Sequence, residues 1–160
     1  MKMFKQFYLF MTLLFITSCG FSPMLKNVDL SDIKINKIDY SGPSGLTYYL
    51  KSNLNMPINK ALKDAYSIKI NIVESYASVT KNTAGITTEE KVTVAINFEI
   101  FDNKGKQIGG ENLSDRRVIS VTNNISTDDE VKRIEKENII TNLIQQLTFA
   151  IRAKIISSQQ

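Results

Sequence analysis

Between Tyr66 and Val121, three stretches of alternating apolar and polar residues follow one another, and turns separate them. In the first, Tyr66, Ile68, Ile70 and Ile72 fall on one side, and Ser67, Lys69 and Asn71 on the other. Successive side chains of a strand point to opposite faces, so this spacing describes a half-buried strand over 66–79. After the turn residues Asn82-Thr83-Ala84-Gly85, the stretch 91–102 puts Val92, Val94, Ile96, Phe98 and Ile100 inward and Thr93, Asn97 and Glu99 outward. Asp102-Asn103-Lys104-Gly105 reads as a hairpin turn, with Gly105 able to take a positive φ. The chain then returns over 106–121, with a bend expected at Gly109-Gly110. A meander of this kind has one apolar face, and that face requires a second layer over it.

The flanking segments supply that layer. Residues 33–40 (IKINKIDY) read as a further strand, ended by Ser41-Gly42-Pro43-Ser44-Gly45. Leu46, Tyr49, Leu50 and Leu54 then recur at helical spacing, and Met56-Pro57 stops the helix, because a residue before proline disfavours the helical region. Near the C-terminus, Thr127-Asp128-Asp129-Glu130 has the form of a capping box, with Thr127 as the cap. A long helix follows to about Ser157, with Ile140, Leu143, Ile144, Leu147, Ile151 and Ile155 as its apolar stripe. The order strand, helix, three strands, helix predicts an α+β fold. It is a two-layer sandwich in which a four-stranded, mostly antiparallel sheet is covered by two helices, the C-terminal one long. One domain over 33–160 accounts for all of it, and a chain near 150 residues buries roughly 68–70% of its unfolded surface.

A different kind of segment precedes the domain. Lys2 and Lys5 form a basic start, Phe7 to Ile16 an apolar run, and Thr17-Ser18 put small residues ahead of Cys19, the one cysteine of the chain. This is the layout of a bacterial secretory signal, and its cleavage site resembles a lipobox. Three other readings compete: a membrane-spanning helix, a buried helix with a structural cysteine, and a signal cleaved elsewhere. Spanning takes roughly 20 apolar residues; the run here is about half that, and Ser22-Pro23 follow at once. In the lipoprotein reading, residues 1–18 are the signal peptide and 19–32 a tether. Cys19 carries palmitate-type acyl chains as the first mature residue. One acyl chain holds a protein on a bilayer weakly, whereas two or more hold it stably. The domain would then stand tethered on the periplasmic side of a membrane.

Composition narrows the chemistry. The chain has 20 Lys+Arg against 16 Asp+Glu, net +4; without Lys2 and Lys5 the count is 18 against 16, net +2. Nucleic-acid binders show clustered basic residues, and this chain does not. With no histidine, neither a Ser-His-Asp nor a Cys-His site can form, and an acylated cysteine leaves no thiol for metal. No phosphate-binding glycine loop or nucleophile elbow occurs. The paired acids Glu89-Glu90 and Asp128-Asp129 read as a solvated loop and a helix start rather than a catalytic pair. No catalytic residue, metal site or cofactor is expected. Arg116, Arg117 and Lys91 are the candidates for an anion-binding patch, since arginine suits phosphate-like groups. On a strand, positions 116 and 117 point to opposite faces, so only one can join a given patch. The competing reading is a solvated strand residue paired with a carboxylate.

The mature start, Cys19-Gly20-Phe21-Ser22-Pro23-Met24-Leu25, resembles that of the LptE family of lipopolysaccharide-assembly lipoproteins. Its members commonly open with Cys-Gly-Phe, a spacer and Pro-Leu. This chain has Met24-Leu25 where many members have Leu-Tyr. The resemblance implies a non-enzymatic lipoprotein of the Gram-negative outer membrane. It would be the partner and plug of the LptD β-barrel, assisting the barrel's assembly and the delivery of lipopolysaccharide to the outer leaflet. It also implies lipopolysaccharide binding through basic residues, for which charge alone nominates Arg116, Arg117 and Lys91. The alternative is a periplasm-facing lipoprotein that holds a small lipid or other ligand in a pocket between sheet and helices.

Overall fold

A computed structural model describes residues 33–62 and 64–159; the signal segment 1–18, the tether 19–32 and Cys19 itself lie outside the described residues. Six elements follow in order: β1 (Ile35–Ser41), α1 (Ser44–Asn53), β2 (Tyr66–Lys81), β3 (Thr87–Phe101), β4 (Gln107–Ser120) and α2 (Ile125–Ser158). The sheet order is β1-β2-β3-β4. β2, β3 and β4 form an antiparallel meander, and β1 runs parallel to β2 after the crossover through α1. The α+β architecture read from the sequence is the one the chain adopts.

The register explains where the core lies. Ile68, Ile70 and Ile72 of β2 stand opposite Ile100, Phe98 and Ile96 of β3. Partners across an antiparallel pair project on the same face, so these six side chains make one apolar patch. All six are buried. α2 lays Ile139, Ile140, Leu143, Leu147, Ile151 and Ile155 over the patch, and α1 adds Leu46 and Leu50. Burial of each such side chain contributes about 1.5–3 kcal/mol.

The two hairpins use one device. In the β2–β3 turn, Asn82 Oδ1 accepts from the N–H groups of Ala84 and Ile86 at 3.0 and 2.9 Å. In the β3–β4 turn, Asp102 Oδ1 accepts from those of Lys104 and Lys106 at 2.9 and 2.8 Å. Such Asx turns fix the chain reversal locally. The Asp102 carboxylate is thus engaged in its own loop. At the bend expected in β4, the register shifts between Ile100 and Phe101, opposite Gly109 and Gln107. A Cβ at Gly109 would lie 3.1 Å from Lys154 Cβ, so glycine is what lets α2 cross β4 this closely.

The start of α2 corrects the sequence expectation. Thr127 is not the cap: the helix begins at Ile125, and Asn124 Oδ1 accepts from Thr127 N–H at 3.3 Å. Asn124 has the extended backbone (φ −98, ψ 108) that a cap requires, whereas Thr127 is already helical. Glu130 does not reach back to the cap; it pairs with Arg133 at 2.7 Å. Asp128 is buried and folds back on the preceding turn, accepting from Thr122 N–H at 2.8 Å and from the Thr122 hydroxyl at 3.0 Å.

The Thr122 backbone hydrogen bond, seconded by the hydroxyl, holds the Asp128 carboxyl below its ordinary value of 3.8. A carboxylate with a depressed folded-state value stabilises the fold above its unfolded value, and that contribution disappears as pH falls through the folded value. Asp128→Asn should therefore flatten the acid limb of the stability curve below about pH 4. Denaturant unfolding across pH 2–7 tests this; an acid limb as steep as the wild type's would assign the dependence to other carboxylates.

α2 is held differently along its length. From Ile139 to Ile155 the buried residues are apolar, while before Ile139 the one buried side chain is Asp128. In that first part, Lys132 meets Glu90 at 2.6 Å and Lys136 meets Glu74 at 2.9 Å. Both ammonium groups also sit over the Tyr76 ring, at 5.2 and 5.7 Å from its centroid. The hydrogen bond that Lys132 donates to Glu90 raises its ammonium above its ordinary value.

Candidate functional site

The two faces of the sheet differ completely. The helix side is filled at its centre, with Phe98, Ile100, Leu143 and Leu147 at or near zero exposure, so among the described residues the hollows between the layers lie at the β4 edge. On the other face, no helix or second sheet covers the meander among the described residues, and none of its side chains from Ser67 to Ala77 is buried.

Register turns that open face into rows. Ser41, Asn71, Asn97 and Asn112 align across all four strands. The Ser41 hydroxyl donates to Asn71 Oδ1 at 3.0 Å. The next rows are Val73, Ala95 and Ser114, then Ser75, Thr93 and Arg116, then Ala77, Lys91 and Val118. The centre of the face is therefore small and mostly polar; Lys91 and Arg116 lie toward the β2–β3 turn, and Lys37 and Lys69, with Asp39 and Glu99, toward the opposite end.

This register places the three sequence candidates. Arg116 stands opposite Thr93, and Lys91 opposite Val118. Lys91 and Arg116 are thus diagonal neighbours on the open face, a spacing of about 7–8 Å that long side chains can bridge. Arg117 stands opposite Val92, on the helix side. There it borders an open hollow of about 510 Å³ with Glu135, Asn138 and Thr141. Lys91 and Arg116 can serve one anion together, and Arg117 cannot join them. None of the three is in an ion pair among the described residues.

Sequence reasoning missed two features. The asparagine row exists through register, which alternation does not encode. The Lys132–Glu90 and Lys136–Glu74 pairs required knowing which turn of α2 crosses which end of the sheet. One signal did point to the second feature. Glu74, Tyr76 and Glu90 occupy inward positions of their strands, where an apolar layer would have placed valine or isoleucine.

Chemically, the open face offers amides and hydroxyls at its centre, the cations Lys91 and Arg116 at one end, and Lys37 and Lys69 mixed with Asp39 and Glu99 at the other. It is a hydrogen-bonding surface with an anion-attracting end. Among the described residues, no group of three or more His, Cys, Asp or Glu could hold a metal ion. No described helix is long and apolar enough to cross a membrane.

No protein-family model matches the sequence, and no curated protein matches it. Solved structures do share its fold. A crystal structure of rare lipoprotein B from Shewanella oneidensis is similar with a TM-score of 0.60 at 15% identity, over 78% of this chain and 100% of that one. The solution structure of an uncharacterized lipoprotein B from Nitrosomonas europaea gives a TM-score of 0.54 at 11% identity, over 81% of this chain and 92% of that one. At these identities the likeness is one of fold, and the fold is one that bacterial lipoproteins adopt.

Proposed function

We propose that this protein is an outer-membrane lipoprotein of the LptE type, anchored through Cys19 on the periplasmic side. It acts without catalysis as the partner and plug of an LptD-like β-barrel, in the assembly of that barrel and the delivery of lipopolysaccharide. The observation that carries the reading is the contrast between the two sheet faces. A ligand carrier needs an enclosed pocket between its layers; the centre of that space is filled with Phe98, Ile100, Leu143 and Leu147, and the hollow that remains lies open along the β4 edge. A plug instead needs a broad outer surface that matches the polar interior of a barrel. The Ser41-Asn71-Asn97-Asn112 row and its neighbours Ser75, Thr93 and Ser114 provide one. The resemblance of residues 19–25 to the LptE family and the fold shared with solved lipoproteins support the same reading.

The test is copurification. The tagged lipoprotein, extracted in mild detergent, should bring down a large β-barrel protein, and its recovery without one would end the proposal. Lys91 and Arg116 are the side chains proposed to meet the lipid A phosphates. Arg116→Glu reverses one of two adjacent charges at an exposed site. It should weaken binding to lipid A by about tenfold or more, since each 1.4 kcal/mol is a factor of ten. The thermal midpoint should hardly move. Unchanged lipid A affinity would return Arg116 to an ordinary solvated role.

A further inference from the structure

β4 pairs with β3 on one side, and no strand pairs with its other side among the described residues. Alternate N–H and C=O groups of an outer strand point away from the sheet and seek partners. Of the devices that blunt natural edges, β4 has charged side chains and an irregularity near Gly109 but no proline between Gln107 and Ser120. α2 runs alongside instead, leaving a trough of about 1030 Å³ between helix and strand. Leu113, Ser114 and Asp115 all line it. Consecutive strand residues point to opposite faces, so a hollow that touches all three runs along the strand's edge.

The helix wall carries Phe149, which is 48% exposed, and Ala150 and Ala153, whose small side chains keep the trough open. Leu113 and Ala150 are buried at its floor. The strand wall, from Glu111 to Asp115, is about 13 Å long, enough for four or five extended residues. Charge adds a polarity. Lys154 lies 3.8 Å from Glu111 at one end, whereas Asp115 at the other accepts from Arg116 N–H at 2.7 Å and from the Asn142 amide at 3.4 Å but meets no cation among the described residues. The trough therefore has one carboxylate end that is hydrogen-bonded but not ion-paired.

We infer that the trough is a strand-addition site for an extended segment of a partner protein. The segment pairs its backbone with the free edge of β4 and sets one apolar side chain on Leu113 and Ala150 against Phe149. It presents a lysine or arginine to Asp115. Backbone pairing supplies the affinity, and the apolar seat and the charge supply the selectivity. The inference depends neither on lipopolysaccharide nor on which protein provides the strand.

The test uses the full mature lipoprotein in detergent micelles, with hydrogen exchange and fluorescence anisotropy as readouts. The probe is the labelled peptide acetyl-Lys-Thr-Val-Thr-Val-Thr-amide, and its fully N-methylated twin serves as control. The peptide should bind saturably and protect those amides within 111–116 that point away from β3. The twin keeps every side chain but cannot donate to a strand, and should bind at least about tenfold more weakly. Ala153→Trp, at an exposed helix position, should fill the trough and weaken binding by a similar factor without moving the thermal midpoint. Asp115→Asn should weaken the lysine peptide and leave a version with glutamine in place of lysine unchanged. No saturable binding, equal binding of the twin, or indifference to Ala153→Trp would each overturn the inference. So would protection, before peptide is added, of those amides within 111–116 that point away from β3. If independent of protein concentration, it would assign the trough to the chain's own N-terminal segment; if concentration-dependent, to a second copy.

Discussion

Phe98→Ala should lower the unfolding free energy by about 3–5 kcal/mol, a large share of the 5–15 kcal/mol that holds a domain of this size together. Phe98 is 1% exposed, on the middle strand of the meander, opposite Ile70 on β2 and Glu111 on β4. Its ring faces the apolar stripe of α2, and both layers are pinned by many other contacts. The structure has little freedom to close over the lost volume, so the cavity contribution adds to the lost transfer free energy. Urea unfolding reads the effect directly: the midpoint should fall while the slope, which follows the surface exposed on unfolding, stays the same. A loss under about 1 kcal/mol would mean that the core around Phe98 collapses freely, and the tight interleaving described for it would be wrong.

The second large effect is backbone in origin and has a built-in control three residues away. Gly42 joins β1 to α1 with φ at +122, and a Cβ there would lie 2.4 Å from the carbonyl oxygen of Ile72. Strand β2 holds that oxygen in the sheet, so it cannot retreat without breaking the β1–β2 edge. Gly42→Ala combines a forbidden dihedral with a backbone clash and should destabilise by about 3 kcal/mol or more. Gly45, inside the first turn of α1, has no atom within 4 Å of the point an alanine methyl would occupy. Gly45→Ala should stabilise by about 0.4–1 kcal/mol, through the unfolded chain's lost freedom and the better helix propensity. Thermal melts of the two variants should move in opposite directions. A neutral Gly42→Ala would show that the chain can leave β1 by another path.

The fold was legible wherever one residue type filled every second position. β3 announces itself because all five of its inward residues from Val92 to Ile100 are β-branched or aromatic. Strand ends were less legible for a physical reason. Alternation reports burial, and the hairpin of β2 and β3 outruns the core. Residues 74–81 have little to bury, yet remain strand to Lys81 because β3 supplies hydrogen-bond partners back to Thr87. The parallel placement of β1 was invisible, since a run of isoleucines fits either direction beside β2. At α2 the capping-box pattern was present in the letters, but Asn123, with φ at +61, turns the chain so that Asn124 reaches the cap first.

The candidate site was legible in part. The split between Arg116 and Arg117 follows from strand geometry alone, and register then joined Lys91 to Arg116. The asparagine row and the trough beside β4 lie beyond one-dimensional reading. Each is made by residues from separate elements that are ordinary one at a time.

The uneven seating of α2 makes it a cantilever. Its greasy length from Ile139 onward is clamped, and its first turns rest on two lysine–glutamate contacts, one aromatic ring, the Asp128–Thr122 hydrogen bonds and the half-buried Val131. Local opening should begin at the free end, so the start of the helix and the far tip of the β2–β3 hairpin loosen together while the rest of the domain stays shut. Mobile ions weaken charge contacts and leave apolar ones nearly untouched. Ionic strength would then tune the pliancy of one pole of the molecule and spare the other.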